Sequence, residues 1–93
     1  MSYGITINPK AIIGNICNIH KGVTIGQERR GKRKGTPTIR NRVWIGVGAV
    51  IVGNIIIGDD VMIAPNSFVN IDITSHSIVF GNPCFIKPRN PVT

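Results

Sequence analysis

The chain has 93 residues, enough for one small domain, with a formal charge of +7 and only 5% aromatic residues against 42% hydrophobic ones. A core of Ile and Val with few rings suits a thin, regular stack better than an ordinary globular centre, and a domain this small is expected to complete its core by oligomerising. The two cysteines, Cys17 and Cys84, have no paired spacing, so neither a disulfide framework nor a zinc site is expected.

The opening stretch MSYGITINPK has no charged segment followed by an apolar run, so it does not read as a secretory signal. From Ile7 onward a branched aliphatic residue recurs every six positions: Ile7, Ile13, Ile19 and Ile25, then Ile39, Ile45, Ile51, Ile57, Ile63 and Val69. The one longer gap, fourteen residues from Ile25 to Ile39, is an ordinary step plus eight, so the phase survives an insertion. A flat strand would alternate with period two and a helix would repeat near 3.6. Period six fits a short strand of about four residues plus a tight turn, three of which close a triangular coil. Glycines at the second hexad position (Gly14, Gly26, Gly46 and Gly58) and Asn-containing pairs are expected to supply unusual backbone angles at the corners. The fifth position is small or aliphatic, as at Ala11, Cys17, Val23, Val43, Ala49, Ile55, Val61 and Ser67.

Three hexads per coil sort the inward residues into columns. Ile7, Ile25, Ile51 and Val69 form one, Ile13, Ile39 and Ile57 a second, and Ile19, Ile45 and Ile63 a third. The fold expected over residues 1–93 is therefore a single all-β parallel β-helix of about three to four coils, with repeats over 5–69. A loop at 27–36 protrudes from one corner. Residues 70–93, with three prolines and no clean hexads, read as an irregular C-terminal cap.

The insert carries much of the charge. Gln27–Lys34 (QERRGKRK) holds five basic residues and one acid. It reads as a solvated loop, or else as a segment that attracts phosphates; without interleaved aromatics or a binding module, nucleic acid is not an expected partner. The run VIVGNIII at 50–57 is too short and too glycine-punctuated to span a bilayer, so no membrane role is expected and a reducing cytoplasm is the expected compartment.

His20 follows Ile19 at a corner, and one coil on its neighbours in the stack are Gly46 and then Ala64. A histidine with small residues above it leaves a shallow channel, which makes His20 the candidate general base. His76 in ITSHSI reads as a turn or solvent-facing residue. Asp59 and Asp60 read as an outward turn, not an acid/base pair.

The stretches GVTIG at 22–26, TPTIRNRVWIGVGAVIVGNIIIGDDVMIAPNSFV at 36–69 and GNPC at 81–84 resemble the hexapeptide-repeat acyltransferases, in their serine acetyltransferase-like and sugar O-acetyltransferase-like branches. That resemblance implies a left-handed β-helix, where general crossover rules would favour the right-handed form. It implies a cytoplasmic homotrimer that moves an acetyl group from acetyl-CoA to a hydroxyl or amine of a small-molecule acceptor, such as serine or a sugar, without a metal. By the same resemblance a histidine would act as general base, the role that the stacking over Gly46 and Ala64 gives to His20, and Trp44, Gly46, Val47, Ala64 and Pro65 would line the cofactor site. Asn70 and Ile71 stand where many members carry Thr-Lys, so Lys87 and Arg89 in the tail are the cations expected to meet the CoA phosphates instead. Thr36 stands where the serine branch carries a histidine, and the coil that holds that branch's other catalytic-type histidine would precede Met1. A non-catalytic or truncated trimer, acting as scaffold or CoA-binding remnant, is accordingly the alternative expectation.

Overall fold

In the computed structural model, which describes residues 4–89, the chain winds as a left-handed parallel β-helix with no α-helix among those residues. The first coil holds β1 (Thr6–Ile7), β2 (Ile12–Ile13) and β3 (Asn18–Ile19). The second holds β4 (Thr24–Gly26), β5 (Thr38–Ile39) and β6 (Trp44–Ile45), and the third β7 (Val50–Val52), β8 (Ile56–Ile57) and β9 (Met62–Ile63). β10 (Phe68–Val69) and β11 (Ser77–Phe80) continue upward, and β12 (Phe85–Pro88) turns back antiparallel on β11. The strands run two or three residues in the repeats, shorter than expected, because each face of the triangle is narrow and the corners take the rest of the hexad.

The three columns form with the expected registers. Ile7 pairs with Ile25, Ile25 with Ile51 and Ile51 with Val69; Ile13 pairs with Ile39 and Ile39 with Ile57; Ile19 pairs with Ile45 and Ile45 with Ile63. From Val23 upward the first- and fifth-position aliphatics are essentially inaccessible to water. The stacked β-branched side chains form one buried core along the axis, and removing one large side chain from such a core costs about 2–5 kcal/mol.

The repeat does not stop at Val69. Ile73 bridges Ile57 in parallel, and Val79 pairs with Ile63, so both extend existing columns and both are buried. Val69 and Ile73 are only four positions apart, so the final coil is two residues short and its phase is hidden from a strict period of six. What read as an irregular cap from residue 70 is a shortened coil followed by a β-hairpin. Residues 1–3 and 90–93, the ends of the opening stretch and of the expected cap, lie outside the described residues.

The second-position glycines have a different role from the one expected. None of Gly14, Gly26, Gly46 and Gly58 adopts a left-handed backbone. Three are required by close approach of the next coil. A Cβ would lie 2.8 Å from Arg40 backbone at Gly14, 2.6 Å from the Pro65 nitrogen at Gly46, and 2.6 Å from the Ser75 nitrogen at Gly58. Left-handed residues recur at the fourth hexad position instead, with Gly53 and Gly81 left-handed one place earlier. Gly22, Gly48 and Asn66 stack at one corner, and Ile16, Arg42, Asp60 and His76 at another.

Candidate functional site

Three corners run the length of the helix, and they differ in chemistry. The corner after β2, β5 and β8 is closed by its own side chains. Asn41 Oδ1 accepts from the Asn15 amide at 2.8 Å, Asp59 Oδ1 from the Asn41 amide at 2.9 Å, and Ser75 Oγ from the Asp59 amide at 2.8 Å. The next residue of each turn donates its amide down the stack, from Arg42 to Asn15 O, Asp60 to Asn41 O and His76 to Asp59 O. On its rim His76 Nδ1 lies 2.9 Å from Asp60 Oδ2, and Arg89 Nη1 donates to Asp60 Oδ1 at 2.8 Å. The His76 hydrogen bond is the main cause that holds the Asp60 carboxyl below the usual carboxylate range; desolvation opposes it, and the Arg89, His76 and Arg42 charges reinforce it.

The corner after β3, β6 and β9 carries His20. Its amide donates to Ile45 O at 3.1 Å, Gly46 to Ile63 O at 2.8 Å and Ala64 to Val79 O at 2.8 Å, so His20, Gly46 and Ala64 are stacked as the spacing predicts. The imidazole packs against the Trp44 indole, ring centroids 4.8 Å apart and tilted by 54°. Its Nε2 is buried and has no hydrogen-bond partner. Buried polar atoms are nearly always paired, and leaving one unpaired costs about 1–3 kcal/mol. The contact arises because Trp44 and His20 both point outward from adjacent strands of one face.

The expected channel is partly filled. The space over Gly46 is occupied by the Pro65 ring, and the amides of Gly46 and Ala64 are used in the coil-to-coil ladder. Among the described residues the Val47 amide has no partner, and its carbonyl accepts from Asn66 at 2.9 Å. Of the backbone groups expected at the cofactor, Val47 is thus the one with a free donor, and its side chain is exposed.

The two tail cations separate. Lys87 is exposed and pairs across β12 with Ile78, which aligns with Met62 and Trp44 in one cross-strand row. At strand spacings of about 4.8 Å, Lys87 stands about 14 Å from Trp44 along one face. Arg89 lies elsewhere, committed to Asp60 on the other corner, because the chain beyond β12 crosses back over His76, whose carbonyl accepts the Arg89 amide at 2.7 Å. A period-six reading of the sequence misses this Asp60, His76 and Arg89 cluster, since the register of His76 depends on the shortened coil. No three metal-binding side chains converge among the described residues.

The family "Bacterial transferase hexapeptide (six repeats)" matches residues 36–70. A serine acetyltransferase of Synechococcus elongatus is 41% identical over 89 residues, covering 96% of this chain and 36% of that protein. A solved serine acetyltransferase of Neisseria gonorrhoeae superposes with a TM-score of 0.87 at 33% identity, over 97% of this chain and 34% of the other. A serine acetyltransferase solved in complex with CoA superposes with a TM-score of 0.80 at 34% identity, over 90% of this chain and 34% of the other. The chain thus spans about a third of the length of these relatives. The hexad columns, the left-handed coil and these likenesses agree: the chain is a hexapeptide-repeat β-helix consistent with the hexapeptide-repeat acyltransferase superfamily and its serine acetyltransferase-like branch.

Proposed function

We propose that the chain is the β-helical part of an acetyltransferase that moves an acetyl group from acetyl-CoA to a hydroxyl or amine of a small acceptor, serine or a sugar. The reading rests on the likeness to serine acetyltransferases over 96% of the chain, one solved relative being a complex with CoA. The protein works as a cytoplasmic homotrimer, with the cofactor in the groove between neighbouring helices. The pantetheine arm lies along the face of Trp44, Met62 and Ile78, within reach of the Val47 amide, and its phosphates approach Lys87. His20 takes the acceptor's proton as the hydroxyl or amine attacks the thioester carbonyl, and CoA leaves as the thiol. An imidazole is the side chain whose ordinary titration lies nearest neutral pH, which suits it to this role. The unpartnered His20 Nε2 favours the assignment: a purely structural histidine would be expected to have a partner for that atom.

The test is acetyl transfer to serine and to sugar acceptors, followed by release of free thiol, for the wild type and His20→Ala. A loss of about 10²–10⁴-fold in turnover is expected, the usual range for a positioned base. Equal and negligible turnover in both proteins, with CoA binding retained in calorimetry, would assign the chain to a CoA-binding remnant instead.

A further inference from the structure

The charged insert is a built element, not a loose loop. Glu28 and Gly35 exchange two backbone hydrogen bonds of 2.9 Å, closing a narrow antiparallel finger between them. The finger is seated on its own chain: the Asn54 amide donates to Arg33 O at 2.8 Å, and Thr36 Oγ1 donates to Lys10 O at 3.3 Å. Gly53 lies so close beneath it that a Cβ there would meet Arg33 O at 3.0 Å. At the tip, Gly31 adopts a φ of 79° with open space around it.

The acids of the chain explain what the tip lacks. There are four Asp and Glu residues in all. Asp59 caps the Asn41 amide, Asp60 takes His76 and Arg89, and Glu28 Oε1 accepts from the Arg29 amide. Asp72 accepts from the Ile56 amide and pairs with Arg33 at 3.5 Å. Arg29, Arg30, Lys32 and Lys34 therefore have no carboxylate partner among the described residues, and all four are exposed. Four like charges held within six residues repel one another, and a rigid base prevents them from dispersing. No aromatic or aliphatic side chain stands among them to stack a base or enter a lipid. Guanidinium forks and ammonium groups in this arrangement match the clustered oxygens of a phosphoanhydride.

We infer that the 28–35 finger is an anion site for a di- or polyphosphate group. It stands at the corner after β4, not on the face of Trp44 and Lys87, so it is a site separate from that face within one chain. The inference does not depend on acetyl transfer. The phosphates come either from the nucleotide end of CoA bound to an adjacent copy or from a distinct phosphorylated ligand.

Calorimetric titration of the full chain with inorganic pyrophosphate, CoA and dephospho-CoA tests it. The quadruple variant R29Q/R30Q/K32Q/K34Q, with thermal unfolding as a check on the fold, is expected to lose at least tenfold in pyrophosphate affinity. R29K/R30K, which keeps the charge but not the forks, should retain part of it. A parallel loss for CoA identifies CoA as the source, and CoA affinity unchanged in the variant identifies a separate ligand. Pyrophosphate binding equal in wild type and quadruple variant, or absent from the folded wild type at millimolar concentration, overturns the inference. Transfer activity measured in the same proteins reports on His20 independently of either result.

Discussion

Two corners of the same coil are built on opposite terms. At the corner of Asn15, Asn41, Asp59 and Ser75, the last three side chains each accept a backbone amide from the coil next to it, and the charged rim of Asp60, His76 and Arg89 is paired within the chain. At the corner of His20, Gly46 and Ala64 the backbone ladder is equally complete, yet an imidazole nitrogen is left buried without a partner and the Val47 amide is left free. The repeat is the same in both places, so the difference lies in the side chains alone. Groups that close on one another stabilise the solenoid; groups left open are available to something outside it.

The largest effect that separates the corners is in rate. His20→Ala is expected to abolish most transfer, as above, while leaving the melting temperature equal or slightly higher, since an unpaired buried nitrogen is removed. His76→Asn should do the reverse. It leaves turnover unchanged and lowers the melting temperature only slightly, because the His76–Asp60 contact is largely exposed, with 59% of the His76 side chain accessible. Activity loss in the His76 variant would mean that the closed corner also serves the reaction.

Next in size are the glycines beneath the corners. Gly46→Ala drives a methyl into the Pro65 backbone, and Gly58→Ala one into the Ser75 backbone. Each should cost about 1–3 kcal/mol in urea unfolding. Gly26→Ala is the internal control: its Cβ would meet Val52 at an ordinary 3.5 Å, so little change is expected. Equal costs at all three positions would refute the close-approach account.

This glycine result also shows what a sequence of this kind carries. The columns of Ile and Val were legible to the residue, because one inward side chain per face is a geometric necessity of the coil. The reason for the glycines was not, since a period marks a position and cannot distinguish a tight approach from a left-handed angle. The shortened coil from Val69 to Ile73 was hidden by its missing two residues, and with it the placement of His76 and Arg89. The stacking of His20 with Gly46 and Ala64 followed from counting alone. Its contact with Trp44, and the loss of Arg89 to Asp60, required knowing which way side chains lean across a corner.

Ile16 gives a smaller effect of opposite sign. It is a β-branched residue at φ 58° with 78% of its surface exposed, at a position where the coils above place Arg42, Asp60 and His76. Left-handed backbone costs a residue of this type about 1–2 kcal/mol, while Asn tolerates it. Ile16→Asn should therefore stabilise the chain by about 1 kcal/mol in chemical denaturation. A loss of stability would mean that Ile16 packs against something the closed corner does not reveal.

The last contrast is in pH. Asp60 is held below its ordinary value by His76 and by the Arg89 and Arg42 charges, so the folded chain binds its proton less readily than the unfolded chain does. By linkage, the stabilisation is fully present above the unfolded carboxylate range and is lost as pH falls through the folded value. Acid unfolding should accordingly begin at the corner that anchors the terminal hairpin, since Asp60 is what Arg89 and His76 hold in common. Thermal unfolding followed from neutral pH down to about pH 2.5 should show a steeper acid decline in the wild type than in Asp60→Asn, which keeps the side chain's size but has no charge to lose. Parallel curves would show that the rim pairs are too solvent-screened to matter. The closed corner would then owe its stability to the ladder of Asn41, Asp59 and Ser75 acceptors beneath them.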